Sequence, residues 1–145
     1  MSGFVIDAGV AVKWVVGEDG SDSVAALLDH PSAAPDLLCP ECANILRKKA
    51  ARGQLAAAEA DAAAAALEAA EVELDSTCAY LALATRTALT LDHPAYDRFC
   101  LALAEVLDRP LVTADRRLVG AVRADPRARF VDRIVPLAES EAPGR

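Results

Sequence analysis

At 145 residues and a formal net charge of −7, the chain is long enough for one domain with a real core and too short for two. The acidic balance argues against a protein that grips nucleic acid by bulk electrostatics, so any such contact has to be local. The hydrophobic fraction of 54% is inflated by the alanines between Gln54 and Ala70, which favour helix and bury little per residue.

Phe4-Val5-Ile6 is a short apolar run closed by Asp7 and reads as a buried strand. Val10 to Val16 looks helical, and Ser21 to Leu28 is a second helix opened by the capping cluster Asp19-Gly20-Ser21. Ala33 to Leu37 is a short strand or an extended entry. Pro40 fits the first position of a helix ending at Gly53, and another helix fills about Leu55 to Ala70. Val72-Glu73-Leu74 is a strand, and Cys78 to Ala88 is helical. Asp92-His93-Pro94 announces a helix from Pro94 to Leu107, with Leu101, Leu103, Ala104 and Leu107 on its apolar face. Pro110 to Thr113 is a buried strand, a helix runs from Asp115 to Val122, and Phe130-Val131 is the last strand. Strands alternating with helices predict one α/β domain over residues 1–137, a three-layer sandwich with a central, largely parallel sheet. Residues 138–145 are expected to form a flexible tail.

No apolar run reaches the roughly 20 residues of a membrane span. Met1 to Asp7 lacks the basic region of a secretion signal. The expected location is the cytoplasm, with no membrane contact, where the four cysteines stay reduced.

In a parallel sheet, strands end and helices begin along one edge, where ligands bind. Asp7 closes the first strand, and Glu41 follows Pro40 in a first helical turn. Asp97 lies in the first turn of the helix opened by Pro94, and Asp115 opens the helix after Leu111-Val112-Thr113. Any one of the last three is explained by the helix dipole, which stabilises an acid there by about 0.3–1 kcal/mol. Asp7 is harder to explain so, since aspartate is a poor strand residue. If all four converge, dipoles do not offset their repulsion, which at 4 Å is about 4 kcal/mol for each pair at an effective dielectric of 20. A hard divalent cation, Mg²⁺ or Mn²⁺, is one remedy; a raised pKa on one carboxyl is another.

Other features have plainer readings. Cys39-Pro40-Glu41-Cys42 is a C-x-x-C at a helix start, so a thiol oxidoreductase using Cys39 and Cys42 is an alternative. The surrounding strand order suits a thioredoxin-like motif poorly, and small buried apolar residues are the simpler role. His30 and His93 each neighbour a proline at a turn or helix entry, and Trp14 fits core or dimer packing. Arg47, Lys48, Lys49 and Arg52 complement a helix C-terminus. Arg116 and Arg117 directly follow Asp115, where they either contact nucleic-acid phosphates locally or are simply solvated.

Val5-Ile6-Asp7-Ala8 and the run from Pro35 to Lys48 resemble the first two motifs of PIN domains. His93-Pro94-Ala95-Tyr96-Asp97, with Leu101 to Glu105, resembles the third, and Leu111 to Leu118 the fourth. The similarity spans nearly the whole chain in order and closely resembles the VapC-type toxins of bacterial toxin–antitoxin pairs. The resemblance implies a PIN-like sandwich and a metal-dependent endoribonuclease that hydrolyses RNA phosphodiester bonds. It implies Asp7, Glu41, Asp97 and Asp115 as metal and catalytic residues, supported by hydrogen bonds from Thr113 and Asn44. It further implies Mg²⁺ as cofactor with Mn²⁺ as a substitute, a homodimer, and a cognate antitoxin over the acidic pocket. Gly9 departs from the Ser, Thr or Asn that relatives place two residues after the first aspartate, and Cys100 replaces a common aromatic. Gly9 motivates a second expectation, a catalytically weak or inactive PIN-like binding module.

Overall fold

A computed structural model describes residues 3–17, 24, 26–91, 95–127 and 129–137. Its five strands are β1 (Phe4–Ile6), β2 (Ser32–Pro35), β3 (Val72–Asp75), β4 (Leu111–Thr113) and β5 (Ile134–Pro136). They form one sheet in the order β3-β2-β1-β4-β5, and every pair is parallel. The register sets Val5 beside Ala33 and Leu111, and Ile6 beside Val112.

Successive strand residues point to opposite faces, and both faces here are covered. Val5, Ala33 and Leu111 enter one core with Leu101, Leu118, Val122 and Phe130. Ile6, Ala34 and Val112 enter the other with Val10, Val12, Leu38 and Leu46. The helices α1 (Ala8–Val15), α2 (Leu38–Ala51) and α3 (Ala57–Ala69) supply the second core. The helices α4 (Leu81–Leu91), α5 (Ala95–Leu107) and α6 (Arg116–Ala124) supply the first. This is the three-layer α/β/α arrangement that the alternation of elements predicts. Among the described residues no helix is long and apolar enough to cross a membrane.

Local chemistry sets the helix ends. Asp7 caps α1 by accepting from the Val10 N–H at 2.9 Å, and Asp115 caps α6 by accepting from Arg117 and Leu118. In α2 the chain turns helical at Leu38, two residues before Pro40, which therefore sits in the first turn where its missing N–H has no helical partner to lose. Beyond the end of α2, Gly53 takes a left-handed φ of 72°, and Gln54 N–H bonds back to Lys49. The alanine-rich α3 contributes Ala63 alone as a fully buried residue. Its start is fixed by Glu59, whose carboxylate accepts from the Ala56 N–H at 3.0 Å.

Several expected boundaries move. The cluster Asp19-Gly20-Ser21 and half of the Ser21–Leu28 helix lie outside the described residues, and the end of that segment is a 3₁₀ turn, Ala26–Asp29. Asp92-His93-Pro94 and residues 138–145 also lie outside them. The segment expected to be helical from Cys78 begins as a 3₁₀ turn, Thr77–Tyr80, before α4. The last strand is Ile134–Pro136, not Phe130-Val131. Phe130 is instead a core plug at 2% exposure, with a 3₁₀ turn over Val131–Arg133 after it. Trp14 is partly buried in the second core, and its indole N–H donates to the Val24 carbonyl at 3.3 Å.

Candidate functional site

The strand order places a topological switch point between β1 and β4, because the chain runs from β1 outward through β2 and β3 and then returns to β4. Crevices at such points, at the carboxyl ends of the strands, are the usual binding sites of open α/β sheets. Asp7 leaves the end of β1, and Thr113 and Asp115 leave the end of β4. Glu41 lies in the first turn of α2, which comes after β2, and Asp97 in the first turn of α5, which packs against β1, β2 and β4.

Thr113 joins the two strand ends. Its buried hydroxyl donates to Asp7 Oδ2 and accepts from the Asp115 N–H at 3.0 Å. Asp7 Oδ1 meanwhile accepts from Val10, so both carboxylate oxygens are held. Burial pushes the Asp7 pKa up and the charge of Asp115 adds to the rise, while the Thr113, Val10 and Ala114 hydrogen bonds work against it. Burial also lifts Glu41, from 4.5 to about 7, with Asp97 and Asp7 adding repulsion. The electrostatics therefore link Glu41 to Asp97 and Asp7, and Asp7 to Asp115. Gly9 lies beside this cluster: a Cβ there would stand 3.5 Å from Asp7 Oδ1.

Asn44 is exposed, and its amide oxygen accepts from Arg47 of the same helix at 3.3 Å. Arg116 and Arg117 are exposed in the first turn of α6. Among the described residues, no three His, Cys, Asp or Glu side chains are arranged to hold a metal ion as they stand. Cys39 is exposed and Cys42 buried, its thiol pushed up to about 12 chiefly by burial. That is the reverse of the thiolate stabilisation that disulfide exchange requires. A cleft of about 590 Å³ opens at the opposite edge of the sheet, lined by Asp29, His30, Glu71 and Glu73. It adjoins strand starts, away from the switch point.

Sequence reasoning missed Arg98. It is fully buried beside Asp97, and its guanidinium has no hydrogen-bond partner among the described residues. Burial pulls its pKa down, while Asp97 and Asp115 oppose that shift. A charged residue at the start of the run Phe99 to Ala104 is the one signal available in the sequence.

The fold and site define the class of open, parallel α/β domains with acidic residues at the switch point. The sequence matches the PIN domain family over residues 4–123, and the chain belongs to that family. PIN domains are typically metal-dependent nucleases that use divalent ions such as Mg²⁺. Among solved structures, the crystal structure of PAE2754 from Pyrobaculum aerophilum is similar, with a TM-score of 0.68 and 17% identity. The match covers 96% of this chain and 92% of that one, and at this identity it speaks to the fold alone. Comparison with curated proteins found no match.

Proposed function

We propose that the chain is a metal-dependent endoribonuclease that hydrolyses RNA phosphodiester bonds, the VapC-type toxin of a type II toxin–antitoxin pair. The supporting observation is that Thr113 ties Asp7 to Asp115 at one sheet edge, with Asp7 and Asp97 near enough to Glu41 for their charges to raise its pKa. An all-oxygen, acid-rich donor set fits a hard cation such as Mg²⁺ or Mn²⁺. The four carboxylates would hold it, with Asp7 and Asp97 as direct ligands, and they must draw together to do so. When bound, such an ion lowers the pKa of a coordinated water and offsets charge on the phosphate.

The remaining chemistry belongs to the chain. Thr113 fixes the Asp7 carboxylate in one orientation and lowers its proton affinity against the effect of burial. One of the four carboxylates orients or deprotonates the attacking water. Arg116 and Arg117 contact backbone phosphates beside the acids, and Asn44 supports the edge from α2. The expected partners are RNA, a cognate antitoxin that places a basic residue over the acids, and a second copy of the chain in a cytoplasmic homodimer.

Gly9 favours a second reading, an inactive or weak binding module, because no side-chain oxygen stands at that position next to Asp7. One experiment separates the two. Purified protein is incubated with RNA and Mg²⁺ or Mn²⁺, with and without EDTA, alongside Asp7→Asn. The nuclease reading expects cleavage that both EDTA and the substitution abolish. RNA binding without turnover in any divalent ion selects the second reading, and metal-independent cleavage that survives Asp7→Asn overturns both.

A further inference from the structure

The outer face of α6 carries a pattern that packing does not explain. Residues 116–133 hold six arginines against two aspartates, a positive segment in a chain whose net charge is −7. Arg129 and Arg133 are paired with Glu105 and Asp108, at 3.2 and 2.9 Å. Arg116, Arg117 and Arg123 stand exposed on α6, with Arg127 exposed just beyond its end. Arg116 and Arg123 are two helical turns apart, so they share one face at a spacing of about 10 Å along the axis. The helix dipole accounts for Arg123 in the last turn and gives Arg116 and Arg117 nothing in the first. The acids at the two ends are turned to the backbone: Asp115 accepts from the Arg117 and Leu118 N–H groups, and Asp125 from the Arg127 N–H at 3.2 Å.

Between the two arginines, on the same face, lies Gly120. Glycine is the poorest helix former after proline, and one in the middle of a helix normally has a packing or functional reason. Packing supplies none here, because Gly120 is exposed and a Cβ added to it would meet nothing within 4 Å. We propose that Arg116, Gly120 and Arg123 form a seat for the sugar–phosphate backbone of single-stranded RNA, which leaves the acid edge along the outer face of α6. The two guanidiniums grip phosphates through charge and forked donors, and the bare helix backbone at Gly120 lets the strand lie close between them. At the roughly 3.4 Å rise of a stacked strand, the seat spans about three phosphates. Arg116 directly follows Asp115, so the seat is continuous with the acid edge. On an acidic chain such a local track attracts a polyanion where the rest of the surface repels it.

The inference rests on the RNA-cleaving reading, and its test separates the two. Full-length protein in EDTA is titrated into a fluorescein-labelled oligouridylate of about 12 nucleotides, with binding followed by anisotropy at several salt concentrations. The chains compared are the native one, Gly120→Gln, Arg116→Gln/Arg123→Gln and, as a control, Arg86→Gln, an exposed arginine on α4. Gly120→Gln raises Tm by about 2 °C, as a better helix former, and yet weakens RNA binding about tenfold by lifting the strand off the helix and away from both charges. The double substitution weakens binding at least as much and lowers the salt slope by about 1.4, the value for two phosphate contacts on a single strand. Arg86→Gln leaves affinity and slope as in the native chain. A Gly120→Gln protein that binds the oligouridylate like the native chain, or a double variant with the native salt slope, overturns the proposal. So does polyglutamate that competes as well as the oligouridylate, which assigns the face to an acidic protein partner. If the native chain binds no oligouridylate the proposal falls, and a Mg²⁺ cleavage assay on a long mixed-sequence RNA says whether the RNA reading falls with it.

Discussion

Thr113→Val preserves the branched shape of a strand residue and deletes one hydroxyl, and two hydrogen bonds go with it. The bond to Asp7 involves a carboxylate and contributes about 1.5–3 kcal/mol; the one from the Asp115 N–H contributes about 1 kcal/mol. Thr113 is 1% exposed, so the added methyl returns about 0.8 kcal/mol through burial. The net loss is about 2–3 kcal/mol. For a chain of 145 residues each kcal/mol moves Tm by about 3 °C, so the midpoint falls by about 6–9 °C. Urea denaturation in EDTA at pH 7, applied to Thr113→Val, Asp7→Asn and the double variant, isolates the coupling between them. Thr113→Ser recovers most of the loss, because the hydroxyl is what matters. A Thr113→Val protein within about 0.5 kcal/mol of the native chain, or effects that simply add to those of Asp7→Asn, would refute the bridging role.

Glu41 titrates from 4.5 in the unfolded chain to about 7 in the folded one, so between those values the native state holds a proton that the unfolded state has released. Stability of the metal-free protein therefore falls as pH rises from about 4.5 through about 7. Solvent around this partly buried group holds the effect to about 1 kcal/mol. Denaturation at pH 5 and pH 7.5 measures it, and an identical slope in Glu41→Gln would remove Glu41 as its source. Gly9→Ser adds a side chain at van der Waals distance from Asp7 and Ala114. It stabilises α1 by about 0.5 kcal/mol and tightens Mn²⁺ several-fold in calorimetry; unchanged Mn²⁺ affinity would show that position 9 does not serve the ion. Alanine at both Arg116 and Arg117 weakens RNA binding across sequences and lowers its salt slope by about 1–2, with Tm unchanged. A salt slope equal to that of the native chain would assign both arginines to solvent.

How much of this was legible depended on whether one local signal dominated. Asp7 after Phe4-Val5-Ile6 marked the strand end because an acid breaks an apolar run abruptly, and Asp115 did the same after Thr113. Their shared edge came out of the alternation of strands and helices. The fifth strand was misplaced because Phe130-Val131 and Ile134-Val135 are equally apolar pairs. The choice between them is made by pairing with Leu111 and Val112, a contact remote in sequence. Arg98 was missed for a different reason: Leu101 and Ala102, three and four places on along α5, are fully buried and turn the face of residue 98 inward, but a charged side chain at the edge of an apolar run reads first as solvated. The pairing of Asn44 with Arg47 likewise depends on side-chain choices that helix spacing permits without requiring.

The hydroxyl that bridges the ends of β1 and β4 joins residues 106 positions apart, and this has a consequence for biosynthesis. Closing so long a loop is entropically costly and comes late. A growing chain presents Asp7, Glu41 and Asp97 well before the strand that clamps the first of them has been made. A fragment ending before Leu111 keeps three of the acids with no neighbouring strand end to lock Asp7. The bond that holds Asp7 in place can therefore form only once nearly the whole domain has been synthesised.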